Sequence, residues 1–222
     1  MLVSLKKFKN FLLVSAFSLL FGASAQASNP LPGSSVNKMI IGDSIFALSG
    51  DIRRYLEADL GEKIDSHARS GCQMIGGNII CSRRYAIPQQ YANADKRGIK
   101  TVIMNGGGND FLFGDCNTLA TCMETLLAIE EAIAGLTARM KADGIEKIIF
   151  LGYYNAPGAP ELIELNEYSM NMKAATYPAM GITFVDTRAA FRGKESIYII
   201  RDGIHPSSAG SRVLADLIRQ AL

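Results

Sequence analysis

Histidine is nearly missing from this 222-residue chain: only His67 and His205 occur, so a metal centre has little to be built from. Cysteine is sparse as well, with four residues at Cys72, Cys81, Cys116 and Cys122, and neither short spacing comes with the nearby histidines that a zinc cluster needs. A strong excess of charge is also lacking. The 23 Lys and Arg against 21 Asp and Glu give +2, and three of the cations, Lys6, Lys7 and Lys9, fall within the first ten residues. Without residues 1–27 the chain keeps 20 basic and 21 acidic residues, or −1, which offers no electrostatic reason to expect nucleic acid as a partner. The apolar stretch "FLLVSAFSLLFG" (Phe11 to Gly22) is well short of the roughly 20 residues of a spanning helix. No internal repeat, low-complexity tract or second linker is visible, and 48% hydrophobic residues suffice for one well-buried domain.

What is present begins with a targeting pattern. Basic residues, the apolar stretch and then "ASAQA", where the small Ala25 and Ala27 flank Gln26, read as a secretory signal cleaved after Ala27. The expected organisation is therefore residues 1–27 as signal peptide, 28–35 ("NPLPGSS" at its heart) as lead-in, and 36–222 as the domain. The mature protein is expected in the periplasm or secreted, without a stable membrane anchor. An oxidising compartment lets thiols pair. Of the three possible pairings, Cys72 with Cys81 and Cys116 with Cys122 are expected, because each closes a short loop.

Further on, short apolar runs alternate with helical patterns. The runs are Val36 to Ile41, a weaker Lys63 to His67, Thr101 to Met104, Lys147 to Leu151 and Ile182 to Val185; the strongest are nearly continuous in apolar residues, as in strands buried on both faces. Between them lie "GDIRRYLEADL", "RRYAIPQQYANADKR", a long stretch from Thr121 to Asp143, and "APELIELNEYSMNMKAATY", with "PSSAGSRVLADLIRQAL" last. The long stretch repeats Met123, Leu126, Leu127, Ile129 and Ile133 at near-helical spacing and ends on Lys141 and Gly144. Alternation with right-handed crossovers predicts an α/β domain: about five parallel strands, with helices on both faces. Ligands of such sheets bind outside the carboxyl ends of the strands, so the residues directly after each run are the candidates.

After the first run stands Gly42-Asp43-Ser44. Gly42 permits a sharp turn that lifts the Ser44 hydroxyl to the rim, near a helix N-terminus whose dipole favours a developing anion; equally, Asp43 or Ser44 could cap a helix starting near Ser49. After the second run stands Ser70-Gly71, where a backbone N–H can approach a ligand closely or simply turn the chain. After the third stands "NGGGND" (Asn105 to Asp110). No Gly-Lys-Ser/Thr follows, so a phosphate-binding P-loop is excluded, leaving the Asn109 amide at the rim and Asp110 behind it. Late in the chain "DGIHP" sets Asp202 three residues before His205, a spacing at which a carboxylate reaches one ring nitrogen while the other faces outward.

In this order, Gly42-Asp43-Ser44, Gly71, Gly107-Gly108-Asn109-Asp110 and Asp202-x-x-His205-Pro206 resemble the blocks of the SGNH (GDSL-type) hydrolase superfamily, over essentially the whole mature chain. The likeness is closest to small secreted bacterial esterases, thioesterases and lysophospholipases, with Ile45 where leucine is usual. The resemblance implies a three-layer α/β/α sandwich of flavodoxin-like kind. It implies Ser44 as nucleophile, His205 as general base and then acid, and Asp202 as the group that orients the imidazole. The oxyanion hole would be the N–H groups of Ser44 and Gly71 with the Asn109 amide; Asp43 and Asp110 would support the loops.

The loop after the fourth run, with Tyr153, Tyr154 and Asn155, either walls the substrate site or packs internally. His67 is expected to be structural, and Cys72 a disulfide partner rather than a nucleophile. No cofactor and no metal are implied. The expected partner is a small-molecule, lipid or glycan ester, which leaves three readings: an esterase acting on acyl or acetyl esters, a polysaccharide O-acetyl esterase or acyltransferase, and a catalytically silent glycan-binding module.

Overall fold

The computed structural model describes residues 36–114, 116 and 118–222. The expected signal peptide and lead-in lie outside these described residues. Five strands form one sheet: β1 (Lys38–Ile41), β2 (Ile64–Ser66), β3 (Thr101–Met104), β4 (Lys147–Leu151) and β5 (Ile182–Val185). Their order is β2-β1-β3-β4-β5, and every pairing is parallel. This is the flavodoxin-like order, and the direction of winding reverses beside β1, so the crevice opens between the carboxyl ends of β1 and β3.

Both faces of the sheet are covered, which is why the strands read as unbroken apolar runs. Met39, Ile41, Val102, Met104, Ile148 and Phe150 point to one side, where Tyr91 of α3 (Ile87–Asn93) and Ile129, Ile133 and Met140 of α5 (Leu119–Ala142) meet them. Ile40, Ile103, Ile149 and Leu151 point to the other, against Ile52 and Leu56 of α2 (Asp51–Leu60) and Leu214 and Ile218 of α9 (Ser208–Ala221). The two-residue period of the strand thus feeds two cores at once. Remaining helices are α1 (Ser44–Ala47), α4 (Gly108–Phe113), α6 (Ile163–Thr176), α7 (Arg188–Phe191) and α8 (Glu195–Tyr198).

Local signals set the helix ends. The Thr118 side chain accepts the Thr121 N–H at the start of α5, and Arg139 and Lys141 stand in its last turn, favourable to the dipole. Ser207 caps α9 by accepting the Gly210 N–H. Two expected boundaries are corrected. β1 begins at Lys38 rather than Val36. The helix expected near Ser49 begins at Asp51, and the single-turn helix α1 precedes it from Ser44, capped by the Asp43 carboxylate accepting the Ile45 N–H. One turn of helix leaves no periodicity to read. Two disulfides, Cys72–Cys81 and Cys116–Cys122, close the two short loops. Among the described residues no helix is long and apolar enough to cross a membrane.

Candidate active site

The turn after β1 is built around one glycine. Gly42 has φ +148°, and a Cβ there would sit 1.9 Å from Asn105 Oδ1, so only glycine lets the two strand ends approach. Its N–H donates to Gln90 Oε1 at 2.8 Å, and its carbonyl accepts from Gln90 Nε2 at 3.0 Å and from the Arg69 N–H at 3.0 Å. Asp43, only 2% exposed, is held harder still. Its N–H donates to Asn105 Oδ1 at 3.1 Å; its Oδ1 accepts from Asn105 Nδ2 at 2.8 Å and from Ile45 N at 2.9 Å; its Oδ2 accepts from the Tyr153 hydroxyl at 2.5 Å. Elements from α3, β3 and β4 therefore converge to fix the backbone that carries Ser44. Burial, with the Asp43 charge beside it, pushes the Tyr153 hydroxyl well above its ordinary range, which keeps it a proton donor.

The other half of the site comes from the turn before α9. Asp202 Oδ1 accepts the Ile204 and His205 N–H groups at 2.8 and 2.9 Å, and its Oδ2 lies 2.6 Å from His205 Nδ1. Burial alone would raise the Asp202 carboxyl, but these hydrogen bonds from the His205 and Ile204 backbone and the imidazole outweigh it and hold the group below the usual carboxylate range. An ionised carboxylate only accepts, so Nδ1 carries a proton and Nε2 is the nitrogen turned toward Ser44. His205 Nε2 lies 2.8 Å from Ser44 Oγ, across 161 residues of sequence. The turn before His205 is braced by Tyr154, whose hydroxyl donates to the Ile204 carbonyl at 2.6 Å and whose ring stacks on Phe191 at 4.0 Å.

The donors expected around an oxyanion are largely unengaged. The N–H groups of Ser44 and Gly71 have no hydrogen-bond acceptor among the described residues. One Asn109 amide hydrogen donates to the carbonyl of Cys72, the residue after Gly71, at 3.0 Å, and the second has no acceptor among those residues. Gly71 has φ +74°, and a Cβ there would meet Ile80 Cγ2 at 2.6 Å, so glycine is needed for the loop to lie so close. Asp110 holds that loop from behind by accepting the Met74 and Ile75 N–H groups at 2.8 and 3.0 Å. Burial pushes its carboxyl up to about 6, against the lowering pull of those two N–H groups.

An apolar cavity opens from Ser44 between α4, α5 and α6, walled by Leu112, Ile129, Leu162, Ile163 and Met170 among others. Its lining includes a polar stripe of α6 that sequence reading missed: Asn166, Ser169 and Lys173 stand on one face at helical spacing. The Lys173 ammonium pairs with Glu130 and donates to Ser169 Oγ at 2.8 Å; burial lowers its proton affinity while Glu130 opposes that shift. Tyr153 and Tyr154 both line the cavity, but their hydroxyls are engaged in bracing the two turns. Asn155 lies beside the lining residues Ala156 and Asn166: its amide donates to Glu167 at 2.7 Å and its Oδ1 accepts from Asn166 at 2.9 Å. His67 pairs with Asp65 at 2.7 Å. Gln90, Asn105 and Tyr153 as buttresses of the turn also escaped sequence reading; their one local signal was Asn105, at the head of the glycine block. No group of three His, Cys, Asp or Glu among the described residues could hold a metal ion.

The profile of the GDSL-like Lipase/Acylhydrolase family matches residues 40–213. No curated protein sequence matches the chain. Among solved structures, a lipase from a goat rumen metagenome is 20% identical over 84% of this chain and 97% of its own, with a TM-score of 0.62. An acetylxylan esterase from Geobacillus stearothermophilus is 19% identical over 85% of this chain and 94% of its own, at 0.63. An alpha/beta hydrolase enzyme from the metagenome of Lake Arreo, Spain, is 20% identical over 85% and 95%, also at 0.63. At such identities these likenesses speak for the fold.

Proposed function

Because the chain belongs to the GDSL-like lipase/acylhydrolase family, we propose that it is an exported serine esterase that cleaves carboxylic esters through an acyl-enzyme on Ser44. The observation that carries this reading is the hydrogen-bond chain from Asp202 through His205 to Ser44. His205 Nε2 takes the Ser44 proton as Oγ attacks the ester carbonyl, and the imidazolium that forms is stabilised by Asp202. The proton then passes to the leaving alcohol, and a water activated by the same nitrogen releases the acid. Negative charge on the tetrahedral intermediate falls to the free N–H groups of Ser44 and Gly71 and to the spare Asn109 amide hydrogen. Because the hydroxyl sits at the first position of α1, the backbone around it is already turned toward that charge.

The acyl group enters the apolar cavity, whose lining favours a hydrocarbon chain over an acetylated sugar. Export rests on the signal-like residues 1–27 and suits a domain with two disulfides. A fluorophosphonate tests the reading on the mature protein: only an activated serine reacts, so Ser44 is expected to be labelled stoichiometrically. Ser44→Ala is expected to abolish labelling and to lower kcat on a p-nitrophenyl ester on the order of 10⁶-fold with an unchanged circular-dichroism spectrum. Labelling elsewhere, or none, overturns it.

A further inference from the structure

A tight turn close to Gly71 spends its two middle positions on isoleucine. Ile79 and Ile80, between Asn78 and Cys81, are 93% and 59% exposed. Such positions ordinarily take Gly, Asn, Asp, Pro or Ser, which suit the bend, and a stiff β-branched side chain there gains almost nothing from the fold. The tip is nonetheless fixed. Asn78 Oδ1 accepts the Ile80 and Cys81 N–H groups at 2.8 and 2.9 Å, the Asn78 N–H donates to the Cys81 carbonyl at 2.9 Å, and the Cys72–Cys81 disulfide closes the loop. At the neck, a Cβ on Gly77 would sit 2.3 Å from the Arg83 backbone nitrogen. A stapled loop thus holds apolar side chains out in water, Ile79 almost without cover.

The surroundings of the tip are cationic. Residues 67–94 contain Arg69, Arg83 and Arg84 and no Asp or Glu, whereas residues 28–66 and 95–222 together carry 17 basic and 21 acidic residues. All three arginines are exposed, and among the described residues none of them pairs with a carboxylate. Ile79, Ile80, Arg69 and Tyr85 line one open concavity. Arg84 lies outside that lining but reaches the same Tyr85 ring, its guanidinium carbon 4.7 Å from the centroid against 4.1 Å for Arg69. The apolar tip and the unpaired cations therefore share one face of a chain that is otherwise net negative.

Two isoleucines are far too little for the roughly 800 Å² that each side of a stable protein interface buries. A bilayer asks for no complementary relief: an apolar tip enters the boundary between headgroups and acyl chains while arginines beside it stay among the phosphates. We propose that the Asn78–Cys81 tip and its arginines form a docking surface for an anionic lipid bilayer. Docking sets where the protein sits and is independent of the chemistry at Ser44.

The protein contains no tryptophan, so Ile79→Trp puts a single indole at the tip. When vesicles of phosphatidylcholine with about 30% phosphatidylglycerol are added to this variant, the indole emission is expected to shift to the blue and to be quenched by brominated acyl chains. Emission unchanged while the protein sediments with the vesicles overturns the tip as the docking element. Sedimentation of the wild type is expected to be about tenfold weaker with phosphatidylcholine alone, and weaker when ionic strength rises from about 0.05 to about 0.3 M. Arg83→Gln/Arg84→Gln and Ile79→Ser are each expected to weaken it about tenfold, with circular-dichroism melting curves like that of the wild type. No binding to the anionic vesicles, equal binding to both kinds, or full binding by both variants overturns the proposal. So does a concentration-dependent dimer that Ile79→Ser abolishes in the absence of vesicle binding, which would make the tip a contact between two copies of the chain.

Discussion

The two turns that meet at the candidate site are built in opposite ways. The Gly42–Ser44 turn is interior: Asp43 is 2% exposed, and Gln90, Asn105 and Tyr153 reach it from 48, 62 and 110 residues away. The Asp202–His205 turn is peripheral: the Asp202 side chain is 41% exposed, and most of its bonds run to residues two or three positions on. Ser44 is thereby placed by the tertiary fold, and His205 mainly by its own local turn. On the proposed mechanism a displaced oxygen would lose alignment with the carbonyl, whereas an imidazole that shuttles a proton between two oxygens would profit from a little freedom.

If that contrast is right, damage on the two sides should show in different observables. The largest effect is expected at the periphery. Asp202→Asn should lower kcat about 10⁴-fold while leaving the melting temperature within a few degrees; a large loss of stability would break the contrast. Next comes Asp110, behind the oxyanion loop. Its carboxyl is pushed up to about 6 by burial, against about 3.9 in an unfolded chain. A raised acid contributes stability that is fully present below the unfolded value and is lost as pH rises through about 6. Against an Asp110→Asn variant, wild type should therefore gain about 2 kcal/mol between pH 7 and pH 4, read from urea titrations at each pH. A constant difference would show that the buried carboxyl is not shifted.

Asn105→Ala should then reveal the interior side. It strips the buried Asp43 of two partners and is expected to cost about 2 kcal/mol of stability as well as activity; lost activity with unchanged stability would make the two turns alike. Smallest, the Cys72→Ser/Cys81→Ser double variant should lose about 2 kcal/mol and lower turnover before the domain melts, since the closed loop adjoins Gly71 and holds its carbonyl through Asn78. Unaltered turnover would detach that loop from the chemistry.

The same contrast explains what could be read from the sequence. Strands buried on both faces declare themselves as apolar runs, so the limits of β3 and β4 match the runs residue for residue; the edge strand β5, with Thr183 exposed, matches as well, while the weak edge strand β2 is shorter than its run. Ser44, Asp202 and His205 lie in compact local patterns. The buttresses do not: Gln90 sits inside an ordinary helical stretch, and its role exists only because folding brings Gly42 against it. Lys173 was hidden for a related reason. Polar residues on an interior helix face mimic a solvated face, and burial is a property of the packed molecule.

The distance in sequence between the two halves has a temporal side. With 161 residues separating the serine oxygen from the ring nitrogen it faces, a nascent polypeptide holds the first of the two groups without the second. On the proposed mechanism such a chain is inert toward esters, and competence arrives only when the last parallel crossover has closed over the sheet.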